Sequence, residues 1–318
     1  MKTTRRGWFT ASTVVAGAVL ALAPRFALGD PPSKDVTTER YNLSPSYVPG
    51  QAFRATAKWK QTTYSTVPQG FLRPTPPNAP SDYDGGMEID STVTIDKVDA
   101  RGGAEAYSVH FDVFRVDVPN PVQSKEYRDR MREQKQKNLP ENAHPLEGST
   151  IRYDATGAKV KIFRVLASGE DFDVTKRYPE VVPILQDLVD PDWTPVDSVF
   201  LGGEWEMNAD HLFRLTRVVA RAPIKGTIKC RLLAVIDGVA TIAVEARILE
   251  SYAKVDVRAV ANGTITFDVA KRKQVGSTLV GEVSIGGDRT GLRGTGSILA
   301  SKTVTDAESV AGLPVTPK

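Results

Sequence analysis

Apolar and polar residues alternate along most of the chain, a pattern that indicates β-strands. Between Met87 and Val98, the residues Met87, Ile89, Val93 and Ile95 share one phase, and acidic and hydroxyl residues occupy the other. A period of two with one polar face is typical of an antiparallel strand buried on one side. The same pattern predicts further strands at 53–59, 107–113, 150–154, 159–165, 212–219, 226–236, 239–250, 254–259, 264–269, 277–285 and 296–304.

Two segments have helical rather than strand-like spacing. Val181, Ile184, Leu185 and Leu188 recur at helical intervals, which predicts an amphipathic helix over 180–189 packed on a sheet. Residues 123–138 are strongly charged, with a possible N-cap and an oppositely charged i,i+4 pair. This second segment predicts a charged surface helix that is solvated; the alternative is a basic contact surface.

The strand pattern divides the mature chain into two β units. We expect a linker at 30–49, a first β unit with an inserted loop and helix at 50–165, a helix and connector at 166–202, a second β unit at 203–305, and a disordered tail at 306–318.

Two short motifs indicate that the β units are an internal duplication. The segment Thr150-Ile151-Arg152-Tyr153-Asp154 resembles Thr264-Ile265-Thr266-Phe267-Asp268, and the turn at Val98-Asp99 resembles the turn at Ile236-Asp237. The different spacings are accounted for by the proline-rich loop within 67–86 and by the charged segment near 120–143. We therefore expect one strand unit used twice.

Ten or more antiparallel strands cannot remain in one flat open sheet, so the sheet should curl. The sequence therefore predicts a mainly β protein, built as a large curled antiparallel sheet or half-barrel from two tandem strand units, with the 180–189 helix on its concave face. The order of strands and helix in this predicted fold is similar to that of the periplasmic lipoprotein carriers of bacteria. The chain also resembles uncharacterised exported all-β bacterial proteins. Neither resemblance includes a sequence motif from which binding residues of this chain could be assigned.

The N-terminus has the features of an export signal. Arg5 and Arg6 are followed, after one position, by Trp8 and Phe9, and an apolar stretch of 11–23 follows. Small residues at Ala27 and Gly29 offer a cleavage site. Residues 1–29 resemble a twin-arginine signal peptide, although Trp8 stands where Phe is commonest. The resemblance implies the twin-arginine translocase as a partner and a location in the periplasm, cell envelope or medium. The alternative is an ordinary secretory signal.

Composition excludes several classes of protein. Lys and Arg number 41 against 38 Asp and Glu, and several of these cations lie in the signal, so a strongly basic nucleic-acid binder is excluded. No other apolar stretch is long enough to span a membrane, so we expect no membrane span in the mature form. The single cysteine, Cys230, excludes an intramolecular disulfide and thiolate metal clusters, and its strand phase predicts a buried apolar role. We expect no cofactor.

Candidate ligand-binding residues come from aromatic residues and from the helix. Trp59, Trp193 and Trp205 lie near strand or connector edges, and Leu185 and Leu188 lie on the apolar side of the 180–189 helix. Together they suggest an apolar pocket beneath the helix. The alternative is that the tryptophans belong to the core.

A weaker candidate is a metal site formed by Glu88, Asp90, His110 and Asp112. These residues fall on one face if the strands at 87–98 and 104–117 pair, and carboxylates with one imidazole could hold a divalent ion. The alternative is the solvated face of an antiparallel sheet.

These patterns favour an exported, soluble cell-envelope protein that is non-enzymatic and binds an apolar small molecule, a lipid or an envelope partner. No nucleophile motif, phosphate loop or catalytic residue stands out. Two alternatives remain, an envelope hydrolase that uses carboxylates and a structural cell-surface module.

Overall fold

The computed structural model describes residues 39–66, 80–117, 142–166, 171–178, 181–189, 193–195, 197–208, 224–252, 255–286 and 293–307. Over these residues the chain forms fourteen strands and two short helices. The strands are β1 Arg40–Tyr41, β2 Ala52–Thr66, β3 Pro80–Val98, β4 Ala104–Asp117, β5 Thr150–Asp154, β6 Lys161–Val165, β7 Asp171–Asp173, β8 Val199–Phe200, β9 Glu204–Asn208, β10 Ile224–Ile236, β11 Val239–Tyr252, β12 Val255–Asp268, β13 Lys273–Gly286 and β14 Arg293–Asp306. The helices are α1 Val174–Arg177 and α2 Val181–Val189.

Twelve of the strands form one antiparallel sheet in the order β7-β6-β5-β4-β3-β2-β14-β13-β12-β11-β10-β9. Strands β2 to β7 are one meander and β9 to β14 are another. A 14-residue ladder between β2 and β14 joins them, from Phe53↔Asp306 to Thr66↔Arg293. The sheet is open, with β7 and β9 at its edges, and β1 pairs separately with β8. The predicted mainly β, large antiparallel fold is confirmed.

One face of the sheet is apolar across most of its strands. Strand registers place one line of side chains across nine neighbouring strands, and we call this line the central row. From β9 to β4, the central row is Trp205, Cys230, Val244, Gly263, Leu279, Ala300, Trp59, Met87 and Val116. The opposite face carries the charged and hydroxyl residues, as the alternation predicts.

Glycines on the apolar face bring neighbouring strands very close together. A Cβ atom at Gly263 would lie 1.9 Å from the Thr278 carbonyl oxygen on β13, and one at Gly226 would lie 2.0 Å from the Arg247 carbonyl oxygen on β11. Strand glycines and bulges are the usual means of bending a sheet. Bulges occur here in β10 between Leu232 and Ala234 and in the β12–β13 ladder. Both hydrophobic cores lie on the apolar face. Because the inner side of a curved sheet is the side that buries its residues, we infer that the apolar face is the concave one.

Helix α2 lies on this concave face, with Ile184, Leu185 and Leu188 buried in the core formed by β2 to β6. Three side chains bind the carbonyl groups of its last turns. Tyr107 Oη donates to Leu185 O (2.9 Å), Lys302 Nζ to Asp187 O (2.6 Å), and Tyr47 Oη to Val189 O (2.6 Å). The carbonyls at the end of a helix have no partner within the helix, so these bonds hold it in place. The predicted amphipathic helix is confirmed.

The segment 39–49, expected to be part of a linker, belongs to the folded unit. Leu43 is fully buried and Tyr47 packs in the core, while β1 pairs with β8. Two large side chains among prolines and polar residues are enough to anchor a short segment without periodicity. The disordered tail was expected to begin at 306, but Asp306 is the last residue of β14 and accepts hydrogen bonds from Lys271 and Lys273.

Several predicted features lie outside the described residues. They are the signal peptide of 1–29 with Arg5, Arg6, Trp8, Phe9, Ala27 and Gly29, the charged helix of 123–138, the strand at 212–219 and the tail from 308 onward. In the part of the chain that is described, no helix has the length and apolar character needed to cross a bilayer.

The two motifs that suggested a duplication occupy matching places in the sheet. Thr150–Asp154 forms β5, the fourth strand of the series from β2, and Thr264–Asp268 ends β12, the fourth strand of the series from β9. The turns after Val98 and Ile236 each join the second strand to the third. The duplication stays a prediction that superposition of the two halves tests.

Candidate ligand-binding site on the concave face

The middle of the central row is only partly covered. Gly263, Leu279, Ala300 and Trp59 are consecutive members of the row on β12, β13, β14 and β2, and all four are half-buried. Val244 and Met87, which flank them, are buried. The result is an apolar, partly accessible strip on the concave face, made of two small residues, one leucine and one indole ring at its end.

Trp59 lies where the two hydrophobic cores of the sheet meet. It packs against the core of β2 to β6 and α2, which holds Leu185 and Leu188, and also against the core of β9 to β14, which holds Trp193. Trp205 packs on the second core. The five predicted ligand residues are therefore divided between the two cores, and Trp59 contacts both.

The indole N–H groups distinguish the three tryptophans. Trp193 Nε1 donates to Gln274 Oε1 (3.1 Å), and Trp205 Nε1 donates to the Trp193 carbonyl oxygen (2.8 Å). Trp59 Nε1 is shielded from solvent and has no hydrogen-bond partner in the described part of the chain. A buried donor without a partner costs about 1–3 kcal/mol, and a buried indole N–H usually has one. Trp193 and Trp205 therefore have fully bonded structural positions, and Trp59 does not.

Leu185 and Leu188 are buried beneath α2. Their side chains seal the helix onto the sheet rather than lining an open surface. The helical spacing located them correctly on the inner side of the helix, but their contacts are with the protein core.

A buried lysine beside the strip was not among the predicted site residues. Lys302 lies on β14 two positions from Ala300, on the concave face, and its side chain is 8% exposed. Its Nζ binds the Asp187 carbonyl oxygen and carboxylate Oδ2 (3.0 Å). The sequence contained a signal for it, since Lys302 interrupts the apolar phase of Ile298, Ala300 and Val304.

The four predicted metal ligands lie on the opposite, convex face. Asp90 is bound by both Arg54 Nε (2.7 Å) and Arg54 Nη2 (2.5 Å), and Glu88 pairs with Lys58 at 2.8 Å. The same two hydrogen bonds raise the pKa of the Arg54 guanidinium. Each of these carboxylates thus has a cation as its neighbour.

The histidine of that set has a different environment. His110 Nδ1 lies 3.0 Å from Thr150 Oγ1, and its Nε2 lies 3.8 Å from Asp112 Oδ1. Asp112 itself sits in a bulge, because Asp90 pairs with Val113 and the next residue, Ser91, pairs with Phe111. Within the described ranges, no three His, Cys, Asp or Glu side chains are grouped in a way that could hold a metal ion.

Cys230 is a member of the central row and is buried. Burial raises the pKa of its thiol to about 12, so the thiol stays protonated at neutral pH. Its Sγ lies 4.0 Å from the Met207 thioether sulfur. The predicted apolar role of Cys230 is confirmed, and the residue contributes surface rather than a nucleophile to the concave face.

No protein-family model matches the chain, and a search of curated proteins finds no match. Among solved structures, the chain is similar to a lipovitellin structure described by its lipid–protein interactions, with 7% identity, 84% of this chain covered and a TM-score of 0.42. The match spans about a quarter of the lipovitellin chain (27%).

Two further solved structures are less similar. OccK1 of Pseudomonas aeruginosa matches with 7% identity over 81% of this chain and 70% of its own, with a TM-score of 0.17. OmpT of Vibrio cholerae matches with 7% identity over 80% of this chain and 100% of its own, with a TM-score of 0.15. These scores are too low to assign a fold or a ligand, so both are argued from the chain itself.

Proposed function

We propose that this protein binds an apolar small molecule on the concave face of its sheet, at the strip formed by Gly263, Leu279, Ala300 and Trp59. The observation that carries the proposal is that these four consecutive members of an apolar row are half-buried. Apolar surface left on the inside of a curved sheet is stabilised when a ligand removes it from water, at about 25 cal/mol per Å².

The small side chains on the strip support this proposal further. The small side chain of Ala300 leaves room above the sheet between its larger row neighbours Leu279 and Trp59. An alkyl chain could lie in that space and contact the ring of Trp59. Aromatic rings and aliphatic side chains with few polar groups are the usual lining of such sites.

A pair of variants on neighbouring residues of β13 tests the proposal. Leu279 faces the concave strip, and Val280 lies on the convex face with 56% of its surface exposed. The probe is N-phenyl-1-naphthylamine, an uncharged dye whose fluorescence rises in apolar surroundings. We expect Leu279→Glu to weaken dye binding at least about tenfold, because a carboxylate would enter the apolar strip.

Val280→Glu is the matched control and should leave dye affinity unchanged, since it adds the same charge on the other face. Wild-type protein that does not bind the dye would contradict the proposal. Equal losses in the two variants would contradict the assignment to the concave face.

We propose as well that the protein is exported by the twin-arginine translocase. Support comes from the Arg5-Arg6 pair, the short apolar stretch after it and the small residues Ala27 and Gly29. Replacing Arg5 and Arg6 by lysine keeps the charge, and we expect the folded precursor to accumulate in the cytoplasm. Export of this variant at the wild-type rate, measured by cell fractionation, would refute the route.

A further inference from the structure

One edge of the sheet is open where β10 extends beyond β9. Strand β10 continues to Ile236, but β9 pairs only with residues 227–231. Leu232 exchanges two backbone hydrogen bonds with the two glycines that precede β9. In the described part of the chain, no strand pairs with residues 233–236 on that side. We call these four residues, of sequence Leu-Ala-Val-Ile, the free edge.

The hairpin that follows the free edge fixes which of its backbone groups face outward. A two-residue turn with positive φ at Asp237 (50°) and Gly238 (76°) joins β10 to β11, so the flanking pair of Ile236 and Val239 is hydrogen-bonded. The alternation of an antiparallel ladder then directs the N–H and C=O of Val235 away from β11. Among the described residues, no backbone hydrogen bond is made to Val235 from that outer side.

The side chains around the free edge are apolar and accessible. Five large ones are exposed: Phe200, Leu201, Leu233, Ile236 and Val239. Ile236 alone leaves 68% of its surface in solvent. The neighbouring edge strand β9 instead presents the exposed carboxylates of Glu204 and Glu206. Charges on an edge strand prevent pairing with other chains, and an uncharged apolar edge favours it.

A second copy of the chain is complementary to the free edge. With Val235 on a two-fold axis, its N–H and C=O bond to the C=O and N–H of the same residue in the other copy. Ala234 of one copy then lies opposite Ile236 of the other. The free edge begins after the exposed Arg231 and ends before the exposed Asp237. Antiparallel pairing therefore brings the cation of one copy toward the carboxylate of the other, which favours the pairing.

We propose that the protein forms a two-fold symmetric dimer by pairing of the two free edges, which joins two sheets into one. The proposal does not depend on the ligand proposed above. Specific interfaces bury about 800 Å² on each partner, and a four-residue ladder with its flanking side chains is small by that measure. The dimer should therefore be weak and its amount should rise with protein concentration.

Sedimentation equilibrium of the purified protein, up to about 1 mM, tests for this dimer. Ile236→Lys places two ammonium groups near each other across the axis and should raise the dimer dissociation constant at least about tenfold. Val280→Lys is the matched control, because Val280 is a similarly exposed residue of an interior strand. It should leave the dissociation constant unchanged.

A cysteine at position 235 tests the register. Hydrogen-bonded residues of an antiparallel pair have Cα atoms about 5.5 Å apart, within the range that a disulfide spans. Under mild oxidation, Val235→Cys should therefore give a disulfide-linked dimer, and Val280→Cys should not. The native Cys230 is buried with a pKa raised to about 12, so it does not interfere.

A protein that remains monomeric at about 1 mM would contradict the dimer. So would equal effects of Ile236→Lys and Val280→Lys, or equal cross-linking of the two cysteine variants. A monomer that binds a synthetic valine-rich peptide, with Ile236→Lys abolishing that binding, would assign the free edge to the strand of another protein and overturn self-pairing.

Discussion

The close approach of strands β12 and β13 can be tested by adding one methyl group at Gly263. In the structure, a Cβ at this position would lie 1.9 Å from the Thr278 carbonyl oxygen and 2.9 Å from the Leu279 Cα. Real Cβ atoms stay at least 3.0 Å from such atoms, so in Gly263→Ala the two strands would have to separate by about 1 Å. Neither contact is with a flexible side-chain end, so the backbone itself must move.

The cost of this change follows from two opposing effects. Overpacking costs about 1–3 kcal/mol, and distortion of the β12–β13 ladder weakens a backbone hydrogen bond worth about 1 kcal/mol. Replacing glycine by alanine also restricts the unfolded chain, which stabilises the fold by about 0.4–1 kcal/mol. We therefore expect Gly263→Ala to lower the free energy of unfolding by about 1–3 kcal/mol.

Gly286→Ala is the matched control in the same strand pair, because nothing lies within 4 Å of a Cβ at that position. It should be neutral or slightly stabilising. Urea unfolding of both variants, followed by circular dichroism, measures the difference. If Gly263→Ala unfolds at the same urea concentration as Gly286→Ala, the close approach of β12 and β13 at Gly263 is wrong.

Three further predictions concern single side chains. Lys302→Met should lower the free energy of unfolding by about 1.5–3 kcal/mol, because it removes the hydrogen bonds of a buried ammonium group to Asp187. The control, Lys58→Met, removes an exposed ion pair and should lower the free energy of unfolding by at most about 1 kcal/mol. Equal urea midpoints of the two variants would contradict the role of Lys302. Hydrogen bonds from lysines at 271 and 273 lower the pKa of Asp306 to about 2, so its carboxylate stabilises the fold above its ordinary pKa of 3.8, and this stabilisation is lost as the pH falls to about 2. Asp306→Asn should accordingly be less stable than wild type at pH 6 and equal to it near pH 2, by urea unfolding at each pH; a constant difference would refute the linkage. Because Cys230 is buried with a pKa raised to about 12, a thiol reagent at pH 8 should modify it only after urea unfolding, and rapid labelling of the native protein would show that its strand position is wrong.

Local alternation was enough to predict most of the strands and the face that each one buries. From Met87 to Ile95, apolar and polar residues alternate except at Ser91, and the apolar members are buried as expected. Alternation carries no information on which strands pair across long separations. The ladder between β2 and β14, which joins residues about 240 positions apart, left no signal in either strand, so the sequence could not decide between one continuous sheet and two lobes.

The site was only partly predictable for a related reason. Trp59, Trp193 and Trp205 are equivalent in the sequence, each near a strand or connector edge. What separates them is the partner of each indole N–H, and the partners come from distant parts of the chain, such as Gln274 for Trp193. Hydrogen bonds between distant residues have no spacing rule that a single sequence reveals.

The bonds that hold α2 also bear on how a ligand would reach Trp59. Tyr107, Lys302 and Tyr47 bind carbonyl groups of the helix, and on β4 and β14 these contacts lie on one side of the central row, toward the β3–β4 turn. Three bonds from separate elements make the helix a fixed wall rather than a moving lid, because opening it would expose all of these groups and the apolar side of the helix at once. A ligand would then enter from the other side of the central row, where β2 leaves toward Thr66 and β14 begins at Arg293.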